Sequence, residues 1–232
     1  MLTSGKLMGA GGVGGDAYWF NVLDRSAYVT NNGLVTDSSN NVYVSGQMLG
    51  TAGVYCPFIA KYDPDGVLLW SKKLGDFSGG GGNINFLTLD SSENVIASGD
   101  YNDGTRISGS LMKVDPSGNA IWHRIAYGSF TGNSFRQADI DSSGNIYVVG
   151  KITVSPYDVG VVMKFNSSGT LQWQRQTSGD AGTFHNAACV SPSGDVFVGG
   201  YCRNTGGYTN AILMQFNTSG TVQWNTTQGF LK

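Results

Sequence analysis

Every tryptophan of the chain falls at one point of a repeated pattern: Trp19, Trp70, Trp122, Trp173 and Trp224 stand 51, 52, 51 and 51 residues apart. A unit of that length is too small to bury its own apolar faces. A fixed period of this size therefore constrains the chain to a stacked or ring-shaped repeat architecture. The copies align without gaps in their core stretches. VTDSSNNVYVSG (35 to 46) matches TLDSSENVIASG (88 to 99), DIDSSGNIYVVG (139 to 150) and CVSPSGDVFVGG (189 to 200). FIAKYDPDGVLLW (58 to 70) likewise matches SLMKVDPSGNAIW, VVMKFNSSGTLQW and ILMQFNTSGTVQW. Four short apolar runs per unit, bounded by Gly, Asn, Asp, Ser or Pro, read as four β-strands.

Turn chemistry sets how the strands pair. Between the first and second strand lie Asp37–Asn40, Asp90–Glu93, Asp141–Gly144 and Ser191–Gly194, and between the third and fourth lie Asp63–Gly66, Asp115–Gly118, Asn166–Gly169 and Asn217–Gly220. Asp or Asn at the first position bonds its own backbone two residues on, Pro presets φ, and Gly accepts the positive φ that returns the chain to a strand. Both clusters predict tight antiparallel hairpins. Four antiparallel strands in about 50 residues are one blade of a β-propeller. The predicted fold is all-β: a propeller-like radial array of four four-stranded blades over residues 19–232, with an extra Trp19 strand, behind a glycine-rich arm at 1–18. Strand alternation places Ala17, Leu68, Ala120, Leu171 and Val222 on the same face as the tryptophan two residues later. Met112, Met163 and Met214, with Ala60 in the first copy, read as blade-to-blade filler.

With 232 residues, 40% of them hydrophobic, the chain buries a sizeable core as one domain. Charged residues are 13% and the formal net charge is −2, which leaves no electrostatic footprint for nucleic acid. No apolar run approaches the roughly 20 residues that cross a bilayer. Residues 1–15 are glycine-rich without an apolar h-region, so they read as a flexible or partner-ordered arm rather than a signal peptide. Cys56, Cys189 and Cys202 are an odd number, which favours free thiols; aligning Ser191 near Val196 sets Cys189 opposite Val198, too far from Cys202 for a disulfide.

Catalytic and metal signatures are missing from the sequence. His123 follows Trp122 on an outer strand, His185 reads as a loop residue near a first strand, and Glu93 lies in a turn. None is spaced for a triad or a histidine metal pair. Asp139 on an innermost strand reads as structurally paired, and paired carboxylates for glycoside hydrolysis are not found. The oxygen-rich turns lack the spread of ligands of an EF-hand loop. The reading is a non-enzymatic chain with no cofactor and no metal.

The strings DSSGNIYVVG, MKFNSSGTLQWQR and ILMQFNTSGTVQW resemble the bacterial β-propeller repeat family, whose blades pair an Asp-Ser-Ser-Gly-Asn hairpin with an Asn-Ser-Ser-Gly-x-x-x-Trp hairpin. The resemblance covers about residues 19 to 232 and rests on turn and core positions. Combined with the leader LTSGKLMGAGGVGGDAYWF, such repeats are similar to virion and tail-associated proteins of environmental bacteriophages. This resemblance implies a structural component of a phage virion, tail- or fibre-associated, assembled in the host cytoplasm. Its implied partners are other virion proteins or copies of itself, held through the arm and blade edges, without nucleic acid or membrane insertion. The family more often closes a seven-bladed ring. Here two arrangements stay open: a compact four-bladed ring with the Trp19 strand added to the closing blade, or an arc completed by another copy or another protein.

Turns after strands one and three share one face, so the connections after strands two and four gather on the other, and these differ between copies. Variable loops on a fixed scaffold are where recognition is accommodated. Tyr101, Asp103, Arg106, Tyr157, Asp158, Tyr201, Arg203 and Tyr208 form the predicted recognition set, suited to a host-surface glycan or protein. No two of these loops share a motif, so the sequence gives no ground for equivalent sugar pockets.

Overall fold

The structure is a computed structural model that describes residues 3–6, 19–22, 29–49, 53–74, 81–126 and 132–228. Its strands are β1 (Thr3–Lys6) and β2 (Trp19–Val22), followed by four blades. Blade 1 holds β3 (Val29–Thr36), β4 (Val42–Leu49), β5 (Tyr55–Tyr62) and β6 (Leu68–Lys73). Blade 2 holds β7 (Gly81–Leu89), β8 (Val95–Asn102), β9 (Ile107–Val114) and β10 (Ala120–Ala126). Blade 3 holds β11 (Ser134–Ile140), β12 (Ile146–Val154), β13 (Tyr157–Phe165) and β14 (Leu171–Thr177). Blade 4 holds β15 (Thr183–Val190), β16 (Val196–Arg203), β17 (Thr209–Phe216) and β18 (Val222–Gln228). Each blade is a four-stranded antiparallel meander in sequence order, and no helix occurs among the described residues. The predicted all-β, four-bladed propeller-like array is the observed fold.

The hairpins form as the turn residues dictate. Asp37 Oδ1 accepts from Ser39 N at 3.0 Å and Asn41 N at 2.8 Å, and Asp90, Asp141 and Asp115 repeat the bond two residues on. Gly66, Gly118, Gly169 and Gly220 all adopt left-handed φ between 75° and 85°, which only glycine takes without strain. Asn40 and Glu93 hold that conformation at φ 62° where sister turns carry glycine.

The blades stack through their faces. β3 packs on β7, β7 on β11 and β11 on β15, so the first strands are innermost. The side of each blade that faces the next blade along the chain is its trailing side, and the opposite side is its leading side. The core consists of interblade layers: Tyr43 and Ile59 of blade 1 meet Ile84, Leu87 and Val114 of blade 2, and corresponding layers join blades 2 to 3 and 3 to 4. Met163 and Met214 are buried in such layers and Met112 packs on one, the filler role expected of them.

Four expectations are corrected. Each outer strand carries a bulge: Ala120 pairs with Val114 but Trp122 with Lys113, and Leu171 with Phe165 but Trp173 with Lys164. The extra residue turns the tryptophan to the trailing side while the residue two before it faces the leading side. Trp19–Val22 pairs with Thr3–Lys6 in a separate two-stranded sheet and does not join blade 4; Thr3–Lys6 is the only part of the 1–18 arm within the described residues. In blades 2 to 4 the connections after the second strands are short turns, because strands run on through the predicted loops; β12 and β13 are separated only by Ser155 and Pro156. Cys189 stands opposite Phe197, one residue from the expected register, and Cys202 opposite Thr183; all three cysteines are free.

The array is an open arc: among the described residues no comparable contact returns from blade 4 to blade 1. Equivalent positions make the same point. Leu87, Ala138 and Ala188 are 2%, 1% and 5% exposed on the leading sides of blades 2 to 4, whereas Leu34 of blade 1 is 67% exposed, although Phe58, Ala60 and Tyr62 on that same side are buried. Ile59 and Leu111 are 0% exposed on trailing sides, whereas Leu213 of blade 4 is 42% exposed.

Candidate functional site

The three blade junctions open outward into three equivalent clefts, which the lack of a shared loop motif did not foretell. The cleft between blades 1 and 2, about 480 Å³, is lined by Leu74, Ala97, Tyr101, Met112 and His123. That between blades 2 and 3, about 670 Å³, is lined by Phe135, Ile152, Met163 and Gln174. That between blades 3 and 4, about 340 Å³, is lined by Thr177, Arg203, Asn210, Met214 and Asn225. In each, a methionine of the third strand pairs with the residue after the tryptophan: Met112 with His123, Met163 with Gln174, Met214 with Asn225. The scaffold repeats and the polar group changes, so the clefts share a shape without sharing a chemistry.

In the first cleft His123 Nε2 lies 2.8 Å from Ser110 Oγ, and Tyr101 meets the imidazole edge-on at 6.0 Å. Burial and then the neighbouring Arg124 push the His123 pKa down, which favours the neutral ring. A hydroxyl–imidazole pair is two parts of a nucleophilic set, which also needs a group to orient the base. Among the described residues no three His, Cys, Asp or Glu side chains converge as metal ligands.

A second feature runs along the loop-side rim, at the cross-strand pairs just beyond the glycine closing each second strand. These pairs are Thr30 with Gln47, Asn83 with Asp100, Ser134 with Lys151, and Phe184 with Tyr201. Asparagines link the first three blades: Asn32 Nδ2 donates to Asn83 Oδ1 at 2.8 Å, Asn83 Nδ2 to Asn85 Oδ1 at 2.8 Å, and Asn85 Nδ2 to Phe135 O at 2.7 Å. Burial pushes the Asp100 carboxyl up, against the pull of Arg136 and Lys151. Further along, Lys151 Nζ pairs with Asp158 Oδ2 at 2.8 Å and lies 5.5 Å from the Phe184 ring. Phe184 stacks on Tyr201 at 4.6 Å, and the Arg203 guanidinium lies 5.2 Å and 5.8 Å from the two rings.

The structure thus brings Asp158, Tyr201 and Arg203 of the predicted set together on blades 3 and 4. Tyr101 lies instead in the first cleft. Asp103 caps its own turn, accepting from Thr105 Oγ1 and from the Thr105 and Arg106 backbone, which holds its carboxyl low. Arg106, Tyr157 and Tyr208 are exposed at three different turns and join no common site. Tyr101, Tyr157, Asp158, Tyr201 and Arg203 are strand residues, not the loop residues expected, because their strands extend past the apolar runs. Lys151 and Phe184 were missed. The legible signal was the position after Gly46, Gly99, Gly150 and Gly200, where the aligned copies read Gln, Asp, Lys and Tyr.

No protein-family model and no curated protein sequence matches this chain. Among solved structures it is similar to a subtype N11 neuraminidase-like protein (A/flat-faced bat/Peru) at 12% identity and a TM-score of 0.49, over 83% of this chain and 61% of that one. It is also similar to a eukaryotic initiation factor at 7% identity and a TM-score of 0.37, over 86% of this chain and 55% of that one. The chain therefore spans less than two thirds of either structure.

Proposed function

We propose that this chain is a non-enzymatic structural component of a bacteriophage virion, tail- or fibre-associated, acting as an open propeller segment within a larger assembly. The observation that carries the reading is the apolar face left open at the blade 4 end of the arc, where Leu213 and Trp224 are 42% and 40% exposed. Contiguous apolar surface of this kind marks sites of association. The phage setting comes from the repeat strings and the leader. Antibodies raised against the chain should decorate purified virions from the source culture. Finding the chain only in the particle-free fraction refutes the reading.

A second role, contact with a host-surface glycan or protein, is favoured by the Phe184–Tyr201 stack with Arg203 laid against it. Aromatic faces beside a guanidinium suit a saccharide ring and its polar substituents. On a glycan array, Arg203→Ala and Tyr201→Ala should each weaken any binding at least tenfold, while Tyr157→Ala leaves it unchanged.

A further inference from the structure

One contact is made three times in the chain. Trp70 Nε1 donates to Pro116 O at 3.1 Å, Trp122 Nε1 to Ser167 O at 3.3 Å and Trp173 Nε1 to Thr218 O at 3.0 Å. Each indole therefore reaches the turn between the third and fourth strands of the next blade and lies against that turn's glycine. A Cβ at Gly118, Gly169 or Gly220 would meet the ring at 3.1, 2.9 and 2.7 Å. Around the indole the trailing side is sealed by residues such as Leu111, 0% exposed, and Tyr147, 0% exposed. Blade 4 carries the same surface, with Trp224, Leu213 and Phe197 at the corresponding positions, and there Trp224 is 40% and Leu213 42% exposed.

We propose that the trailing face of blade 4 is a docking surface for one further blade of this same repeat, supplied by a partner polypeptide. The proposal deepens the assembly reading above and rests on it. The partner's chemistry follows from the three internal junctions. It offers an Asx-x-x-Gly turn between its last two strands, a carbonyl at the second residue of that turn for the Trp224 N–H, and a left-handed glycine under the indole. It also offers a small or aliphatic residue on its innermost strand, where Leu87, Ala138 and Ala188 fill the internal junctions. The receptor does not come from the four described blades: Trp70, Trp122 and Trp173 occupy the turns of blades 2 to 4, and Gly66 of the blade 1 turn is buried and already engaged.

The end face also differs from the second and third internal ones in a way that sets its strength. Arg124 donates to Gly169 O and Ser168 O, and Arg175 to Gly220 O and Ser219 O, while Lys113 and Lys164 reach Ser167 O and Thr218 O. Blade 4 has Thr226 and Gln215 in those places. The end junction keeps the apolar latch and lacks the cationic clamp, which makes it the junction suited to a separable partner.

The test lengthens the full chain after Gln228 by a further copy of residues 178–228, whose turn repeats Asn217–Gly220. Trp224 emission is isolated by subtracting the Trp224→Phe variant. The acrylamide quenching constant of Trp224 should fall at least threefold on extension, and Gly→Val at the appended copy of Gly220 should restore it. Unchanged quenching overturns the proposal, whether the appended amides are protected from exchange or not, because a face built for this blade would have ordered it. Sedimentation of the unextended chain gives the second readout. A monomer at 1–100 µM is expected, and a dimer in which Trp224 is shielded would make the occupant a second copy and overturn the assignment to a distinct partner. Neither result bears on whether virions contain the chain, so the two readings fail separately.

Discussion

His185 is an imidazole in a position that blades 2 and 3 fill with hydrocarbon and blade 1 with Asn31. It pairs with Gly200 across the first two strands of blade 4, as Ile84 pairs with Gly99 and Phe135 with Gly150. The ring is 0% exposed, packs against Gly160, shares a 2.6 Å hydrogen bond between Nε2 and Thr177 Oγ1, and leaves Nδ1 without a partner. Burial lowers its pKa to about 4. Between that value and roughly 6.5 the unfolded chain binds a proton that the folded chain refuses. Stability is therefore complete above about pH 6.5 and drains as the pH falls toward 4, by up to about 3 kcal/mol. At Asp37, Asp90 and Asp141 burial opposes ionisation but hydrogen bonds outweigh it, so their carboxyls lie low and their losses come at still lower pH. Urea midpoints at pH 7 and 4.5 should differ strongly in the wild type and much less in His185→Phe, which copies the Phe135 junction; an equal drop in both would exclude the imidazole. His185 was not legible as a core residue. The first strand is bulged between His185 and Ala187, so the alternation that marks a strand breaks at the point where the histidine enters the core.

At the scale of the element, the third-to-fourth hairpin both closes one blade and receives the preceding one. That double use explains why its glycine does not vary. Left-handed φ alone tolerates Asn or Asp, and first-to-second turns do accept Asn40 and Glu93. Where an indole lies on the turn, no Cβ fits at all. Gly207 and Gly169 separate the two effects, with φ values of 80° and 75°: nothing lies within 4 Å of a Cβ at Gly207, whereas Trp122 lies 2.9 Å from one at Gly169. Gly207→Ala should cost about 1 kcal/mol from backbone strain, and Gly169→Ala about 2–4 kcal/mol once overpacking is added. Thermal melts of the two variants measure the difference, and equal costs would remove the indole from the explanation. The hairpins themselves were legible because Asx, Pro and Gly act locally. The orientation of the tryptophans was not, because an outer-strand bulge has no composition of its own: Ile121, Gln172 and Gln223 look like ordinary strand residues.

For the whole molecule, the period of the sequence counted the blades but left their closure open. Closure depends on the angle at each junction, set by side chains such as Leu87, Ala138 and Ala188 filling the innermost layer, and no repeat length encodes it. An open array is quasi-one-dimensional: blades 2 and 3 have a neighbour on both sides, and blade 4 packs within the chain on one. Stability should then depend on which junction a side chain serves more than on what the side chain is. Leu111 and Leu213 test this with the same residue at equivalent positions, the first 0% exposed between blades 2 and 3 and the second 42% exposed on the open face of blade 4. Leu111→Ala should cost about 2–5 kcal/mol, as a core truncation. Leu213→Ala should stay within about 0.5 kcal/mol, as a surface change. Because Leu111 belongs to the layer joining the two halves of the arc, its truncation should also divide a single unfolding transition into two, with β11–β18 exchanging amides separately from β3–β10. A closed ring predicts the opposite pattern: Leu213 would sit in a junction like any other, both truncations would be costly, and exchange would remain uniform around the circle.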